Sequence, residues 1–195
     1  HTPVGKEAVL ASISGLGSED RLTRYAARTA LEHQDVELWQ QLVLASDDVE
    51  VSLNGMLGLV RVANANVRKD LLQKLYSIDF SKLGERQQIL WLRVYGIVFM
   101  RMGAASAEDA AEIRSQLERE FPGTNAAINS EVLKLLVYAE SAAVTPAAVR
   151  LLMNAPTQEE QIDYAKTLRH QLHGWTPELR KTYFEWFLTA ANYRG

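Results

Sequence analysis

The 195-residue sequence predicts an all-α protein, an α-solenoid of antiparallel helix hairpins with about ten or eleven helices. Apolar residues recur at the three-and-four spacing of a helical face along most of the chain. Capping residues, prolines and glycines interrupt these stretches at intervals typical of short helices. No alternating run is bounded by the turns of a β-hairpin, so we expect no strands.

Two predicted helices form the first hairpin. Ser18 can cap the first helix, whose apolar face starts at Leu22 and Tyr25. A shorter partner of the same kind ends near Ser46. The segment before Ser18, residues 15–17, is interpreted as a turn, because no strand precedes its two glycines and the third glycine of a nucleotide-binding loop is absent.

Two glycines mark the third predicted helix, which spans residues 51–63 after a capping-box pattern at 47–50. Glycine costs about 1 kcal/mol in a helix interior relative to alanine. Gly55 and Gly58 therefore predict that a neighbouring helix approaches closely.

Seven further helices are predicted from caps and breaks. We expect them at 67–76, 85–102, 107–120, 128–140, after Thr145-Pro146, at 158–173 and after Thr176-Pro177. The two threonines place a capping hydroxyl directly before a proline at the first helical position. The helix at 85–102 is apolar around almost its full circumference, which predicts that it lies at the centre of the core.

Two segments resemble helical-repeat proteins. The run Tyr25-Ala26-Ala27-Arg28 with Leu31 resembles the second helix of a HEAT repeat, so the hairpins are expected to be HEAT-like. A second resemblance, over about 154–195, rests on Ala155-Pro156-Thr157-Gln158-Glu159-Glu160-Gln161, Gly174-Trp175-Thr176 and Tyr183-Phe184-Glu185-Trp186. This segment resembles the HEAT-like domain of large exported proteins of planctomycetes and related bacteria.

In that family the helical domain lies between a sorbosone-dehydrogenase-like β-propeller and a cytochrome c domain. The resemblance therefore implies a connector within an exported redox protein, in the periplasm or otherwise outside the cytoplasm. A cytoplasmic location is the alternative. The haem motif and the propeller residues of the family have no counterpart in this chain, so the resemblance assigns no catalytic or cofactor residue.

Composition narrows the classes of function. A net charge of −3 gives no electrostatic reason to expect DNA or RNA as a partner. The absence of cysteine removes thiolate nucleophiles, disulfides and cysteine zinc sites. The longest apolar stretch, residues 89–102, contains Arg93 and Arg101 and is too short to span a bilayer.

The length suits one domain, so residues 1–195 are predicted to be a single HEAT-like domain. Because the sequence opens on histidine rather than methionine, we expect that this domain was excised from a larger chain.

An arginine stripe is the first candidate interaction surface. Arg21, Arg24 and Arg28 recur on one helical face and could recognise a carboxylate or phosphate of a partner. The alternative is a solvated face in which these arginines pair with Glu32 and Asp20.

Trp175 is the second candidate, because it lies in a turn where packing constrains a side chain less. The alternative is a tryptophan that staples two helices together. His170 and His173, one turn apart, could hold a metal if carboxylates joined them. Their alternative is a pair of surface imidazoles near a helix C-terminus.

No catalytic, cofactor-binding or metal-binding residues are assigned. Glu118, Glu120, Glu159 and Glu160 include neighbouring carboxylates, yet no pattern holds a pair apart in a cleft for acid–base chemistry.

These observations favour a non-catalytic helical-repeat module that docks a protein partner or neighbouring domains of the same chain. We do not expect nucleic acid or a membrane as a partner, or a small molecule as a substrate. Two alternatives remain. The first is a HEAT-like DNA-binding enzyme of the alkylpurine glycosylase type. The second is a helical domain that completes the active site of an adjoining dehydrogenase.

Overall fold

The computed structural model describes residues 5–193, which form an all-α fold without strands. The eleven α-helices of this part of the chain are α1 (Lys6–Leu16), α2 (Arg21–Glu32), α3 (Gln40–Leu44), α4 (Val49–Val62), α5 (Arg68–Ser77), α6 (Glu85–Arg101), α7 (Ala107–Leu117), α8 (Ala126–Tyr138), α9 (Thr145–Asn154), α10 (Gln158–Leu168) and α11 (Pro177–Ala190). Short 3₁₀ helices occupy Val36–Leu38, Ala65–Val67 and Phe80–Lys82. The predicted fold class and the predicted number of helices are confirmed.

The chain divides into two compact units between Ala104 and Ala105. Helices α1 to α6 belong to the first unit and α7 to α11 to the second. The assignment of residues 1–195 to a single domain stays a prediction. No helix within residues 5–193 combines the length and the apolar character needed to cross a membrane.

Helix α4 lies at the centre of the first unit, since every residue from 51 to 60 is buried. A Cβ atom at Gly55 would overlap the Val43 side chain of α3, and one at Gly58 would lie 3.3 Å from Arg28 Cγ of α2. The prediction that these glycines admit neighbouring helices is confirmed. Close approach on two sides explains why α4, and not α6, is the most buried helix of the unit.

Helix α6 is buried on one side only. Trp91 and Tyr95 are fully buried, and Trp91 Nε1 donates a hydrogen bond to the Leu75 carbonyl oxygen at 3.3 Å. Arg86, Arg93 and Met100, spaced seven residues apart, are exposed along the opposite side. The prediction that this helix lies at the centre of the core was therefore wrong, because Arg86, Arg93 and Met100 form a solvent-facing stripe.

The start of the chain differs from its prediction. Gly15 and Leu16 belong to α1, a helix without a side-chain cap, so the interpretation of these two residues as a turn was wrong. The N-cap of α2 is Asp20 rather than Ser18, and its carboxylate accepts a hydrogen bond from the Thr23 amide at 2.6 Å.

A tertiary hydrogen bond replaces one predicted cap in the second unit. Thr145 Oγ1 donates to the His173 carbonyl oxygen at 2.8 Å, so it does not cap α9. Thr176 does cap α11, accepting from the Leu179 amide. Helix α10 ends at Leu168, earlier than predicted, and Gly174 in the following segment has a φ of 77°.

Candidate functional site

Five arginine side chains converge on one pocket of the first unit, with a volume of about 370 Å³. Its lining comprises Arg21, Arg24, Tyr25 and Arg28 of α2, Glu50 and Asn54 of α4, and Arg86, Ile89, Leu90 and Arg93 of α6. We call this site the arginine pocket. A single carboxylate among the lining residues faces five guanidinium groups, so the lining carries a surplus of positive charge.

Glu50 organises the inner part of the arginine pocket. Its side chain accepts hydrogen bonds from Arg86 Nη1 at 2.7 Å, Asn54 Nδ2 at 2.8 Å and Gln87 Nε2 at 3.3 Å. Arg24 Nε lies 3.5 Å from the same carboxylate. Because Glu50 is only 8% exposed, this network joins α2, α4 and α6 in surroundings where charges are poorly screened.

Arg24 is a structural member of the predicted stripe. It is 9% exposed, and its Nη1 donates to the carbonyl oxygens of Ser18 and Glu19 at 2.6 and 2.8 Å. These bonds tie the connection between α1 and α2 to Glu50 of α4. Its burial and these internal acceptors leave the Arg24 guanidinium with little access to a ligand.

Arg28 is half-buried and incompletely neutralised. Its Nε lies 3.4 Å from Glu32 Oε1, but the same oxygen lies 3.2 Å from Arg61 Nε. Burial lowers the pKa of Arg28 below its usual value, with smaller contributions from Arg61 and Arg93, while Glu32 opposes the shift. The guanidinium also lies over the Tyr25 ring, 5.5 Å from its centroid. An additional anion near Arg28 would relieve this unfavourable electrostatic environment.

Arg21 and Arg93 are the open cations of the arginine pocket. Both are exposed, and within residues 5–193 neither side chain makes an ion pair or a hydrogen bond. Asp20, proposed as a partner of the stripe, instead accepts hydrogen bonds from the Thr23 amide and hydroxyl. These bonds, the hydroxyl bond foremost, lower the pKa of the Asp20 carboxyl.

The arginine stripe predicted from the sequence supplied three of the five arginines of the arginine pocket. Arg86 and Arg93 were missed, although their spacing of seven residues on one predicted helix placed them on a common face. Glu50 was read as part of a capping box. The structure instead shows Asp48 capping α4, accepting from the Glu50 and Val51 amides, while the Glu50 side chain faces the arginines.

Trp175 joins two parts of the second unit. Its Nε1 donates to the Gln171 carbonyl oxygen at 2.8 Å, and its ring centroid lies 5.3 Å from that of Tyr183 in α11. Arg180 of α11 covers the indole at 5.7 Å. The half-buried side chain therefore has the stapling arrangement that was the alternative to a ligand contact.

His170 and His173 line a larger groove of the second unit, about 670 Å³ in volume. His173 Nε2 lies 3.7 Å from Glu140 Oε2, and His170 lies beside Arg169. Across residues 5–193, no three His, Asp or Glu side chains are grouped so that they could hold a metal ion.

The groove of the second unit is larger than the arginine pocket, but its charges are mixed. Lys134, a lining residue, lies 2.8 Å from Glu131 and 3.6 Å from Asp163, which also lines the groove. Its acidic and basic groups therefore partly neutralise one another. The arginine pocket, with five guanidinium groups and one carboxylate, has the larger surplus of positive charge.

The four glutamates considered for catalysis form two pairs that lie in different parts of the second unit. Glu118 and Glu120 follow the end of α7, and Glu118 Oε1 accepts a hydrogen bond from Ser141 Oγ at 2.6 Å. Glu159 and Glu160 lie in the first turn of α10, where carboxylates favour the helix N-terminus. The hydrogen bond from Ser141 and the helix N-terminus therefore give Glu118, Glu159 and Glu160 structural roles.

Comparisons with protein-family models, curated proteins and solved structures found no match to this chain. The fold and the arginine pocket define the chain as an all-α protein with a cationic, partly apolar pocket.

Proposed function

We propose that the chain is a non-catalytic, HEAT-like docking module that binds an acidic segment of a protein partner or of a neighbouring domain. The arginine pocket carries this proposal, because five guanidinium groups line it beside one carboxylate. Guanidinium groups bind carboxylates through paired, charge-assisted hydrogen bonds, which provide both affinity and orientation. A site of this kind needs no catalytic group.

Apolar residues beside the cations favour a protein ligand. Ile89 and Leu90 contribute apolar surface to the arginine pocket, and Tyr25 adds an aromatic ring. Protein interfaces combine arginine and aromatic residues in this way more often than other surfaces do. A docking segment can therefore bury apolar groups while its carboxylates meet the arginines.

The resemblance of residues 154–195 to the HEAT-like domain of exported redox proteins supports a setting for this function. In that setting the partner is a neighbouring domain, and the module is a connector in the periplasm or otherwise outside the cytoplasm. The alternative in which the helical module completes the active site of an adjoining dehydrogenase uses the same contact between domains.

The DNA-binding alternative also requires cations, so the test must separate two kinds of anion. Fluorescence anisotropy would compare a labelled glutamate-rich peptide, a lysine-rich peptide of equal length and a short DNA duplex, each at low and at physiological salt. We expect the acidic peptide to bind, with affinity that falls as salt rises, and the basic peptide not to bind. Absence of binding by the acidic peptide would overturn the proposal. Stronger, salt-dependent binding of the duplex would favour the glycosylase-type alternative.

A further inference from the structure

We infer that the arginine pocket recognises a protein segment in which a carboxylate side chain is adjacent to an apolar one. The carboxylate is bound by Arg21 and Arg93, and the apolar side chain packs on Leu22 and Tyr25. This inference rests on the proposed docking function and specifies the contact residues and the chemistry of the partner.

The cations of the arginine pocket divide into a fixed set and an open set. Arg24 and Arg86 are held by Glu50, and Arg24 also has two carbonyl acceptors. Arg21 and Arg93 have no such bonds within residues 5–193 and project from two different helices, α2 and α6. The fixed set keeps the helices in place, so the open set can bind a ligand without rearrangement of the unit.

Arg28 makes an anion at the open set more favourable. It lies on α2, and its acidic neighbour Glu32 is shared with Arg61. Arg93 is close enough to Arg28 to disfavour its charged form. A carboxylate bound by Arg93 would offset that positive field, so ligand binding also relieves repulsion within the pocket.

An exposed apolar surface on α2 adjoins the arginine pocket. Leu22 is 74% exposed and Tyr25 is 59% exposed, and their three-residue spacing places them on one face of α2. Tyr25 also lines the arginine pocket, so this surface is continuous with the cations. An inorganic anion would leave both side chains in water, whereas a peptide with an apolar residue beside its carboxylate would cover them.

The test measures the anisotropy of labelled peptides with the whole chain and two matched double variants. The first variant, Arg21→Ala with Arg93→Ala, removes the open set. The control, Arg119→Ala with Arg150→Ala, removes two exposed arginines of the second unit that likewise make no side-chain ion pair or hydrogen bond within residues 5–193. The two variants have equal net charge. Circular dichroism should give the same helix content for both, because neither removes an internal contact.

Two peptides separate the acidic requirement from the apolar one. Both carry the same number of glutamates, but leucine and phenylalanine in one are replaced by serine in the other. We expect the acidic–apolar peptide to bind the unsubstituted chain about tenfold more tightly than the acidic–polar peptide, a difference that Leu22→Ser should reduce. The first double variant should lose about tenfold or more of its affinity, while the control stays within about twofold.

The failures of the inference and of the proposed function are distinguishable. Equal weakening by both double variants would show a response to net charge alone and would overturn the assignment of Arg21 and Arg93. Equal binding of the two acidic peptides would overturn the apolar part, although docking of an acidic segment would stand. If neither acidic peptide bound the unsubstituted chain, the inference and the proposed function would both fail.

Discussion

The two units of the chain use polar groups differently. In the first unit, charged side chains join the helices: Glu50 pairs with Arg24 and Arg86, and Glu32 with Arg28 and Arg61. In the second unit, Lys134 of α8 pairs with Asp163 of α10, but four other links are neutral hydrogen bonds. The Gln171 side chain donates to the Ser141 carbonyl oxygen, Thr145 Oγ1 to that of His173, Tyr183 Oη to that of Ala165, and Trp186 Nε1 to Gln161 Oε1. These four bonds join elements of the second unit without an ion pair.

Composition alone does not explain the cationic character of the arginine pocket. Residues 1–104 contain twelve Lys and Arg and twelve Asp and Glu, whereas residues 105–195 contain nine and twelve. The first unit is thus neutral by count, and the positive surplus of the arginine pocket arises from where the chain places its arginines. The comparison indicates that arrangement, rather than net charge, locates the candidate binding site.

The largest loss of stability is expected when the charged network of the first unit is broken. Glu50→Gln removes the carboxylate that Arg24 and Arg86 share, which should cost about 3 kcal/mol in the free energy of unfolding. Urea-dependent hydrogen exchange, resolved by peptide, should assign this loss to residues 5–104. Glu131→Gln, at an exposed pair with Lys134 in the second unit, is the control and should cost less than about 1 kcal/mol. A loss of similar size in both variants would contradict the contrast between the units.

The second-largest loss of stability is expected at Gly174, where the backbone of the second unit is constrained. A Cβ atom at Gly174 would overlap the Ala142 carbonyl oxygen, and the residue has a φ of 77°. We expect Gly174→Ala to cost about 2 to 3 kcal/mol, from strain and overlap together. Gly103→Ala isolates the strain, because Gly103 has a φ of 105° and open space around it, and should cost about 1 kcal/mol. Equal costs in chemical denaturation would show that the overlap is unimportant.

Packing around α4 can be tested by a double-mutant cycle. Gly55→Ala should destabilise the first unit by about 2 kcal/mol, because the new methyl group overlaps Val43. In a Val43→Ala background the same substitution should cost much less, since the space is then available and alanine favours the helix. Strictly additive costs would contradict the close approach of α3 and α4.

The smallest expected effect concerns alkaline pH and the second unit. Burial raises the pKa of Tyr183 above 10, so its contribution to stability is complete below about pH 10 and is lost as pH rises through the folded-state pKa. Tyr183→Phe should weaken this alkaline loss, at a cost near neutral pH of about 1 kcal/mol for the bond to Ala165. The measurement is the urea midpoint across about pH 8 to 11. An unchanged alkaline slope in Tyr183→Phe would contradict the assignment.

Local signals predicted most of the fold. Helices α4 and α6 and the start of α11 were placed to within about two residues, because their apolar periodicity and caps are encoded nearby. Helix α1 was missed because it has no capping side chain. Thr145 was misread because its acceptor, the His173 carbonyl oxygen, lies far along the chain, where no local pattern reports it.

Only the part of the candidate site that lies on α2 could be predicted from the sequence. The stripe of Arg21, Arg24 and Arg28 was evident, but its meeting with Arg86 and Arg93 depends on how α2, α4 and α6 pack. Long-range packing also separates the roles within the stripe, burying Arg24 and leaving Arg21 open. Sequence periodicity identifies a helical face, but it does not identify what that face meets.

The most direct test of the arginine pocket is a nuclear magnetic resonance titration of arginine side-chain Nε–Hε signals with the acidic–apolar peptide. Docking at the arginine pocket predicts progressive shifts for Arg21, Arg28 and Arg93, with Arg119 and Arg150 unchanged. Shifts confined to the arginines of the second unit, or equal shifts across all arginines, would contradict the central claim that the first unit holds the docking site.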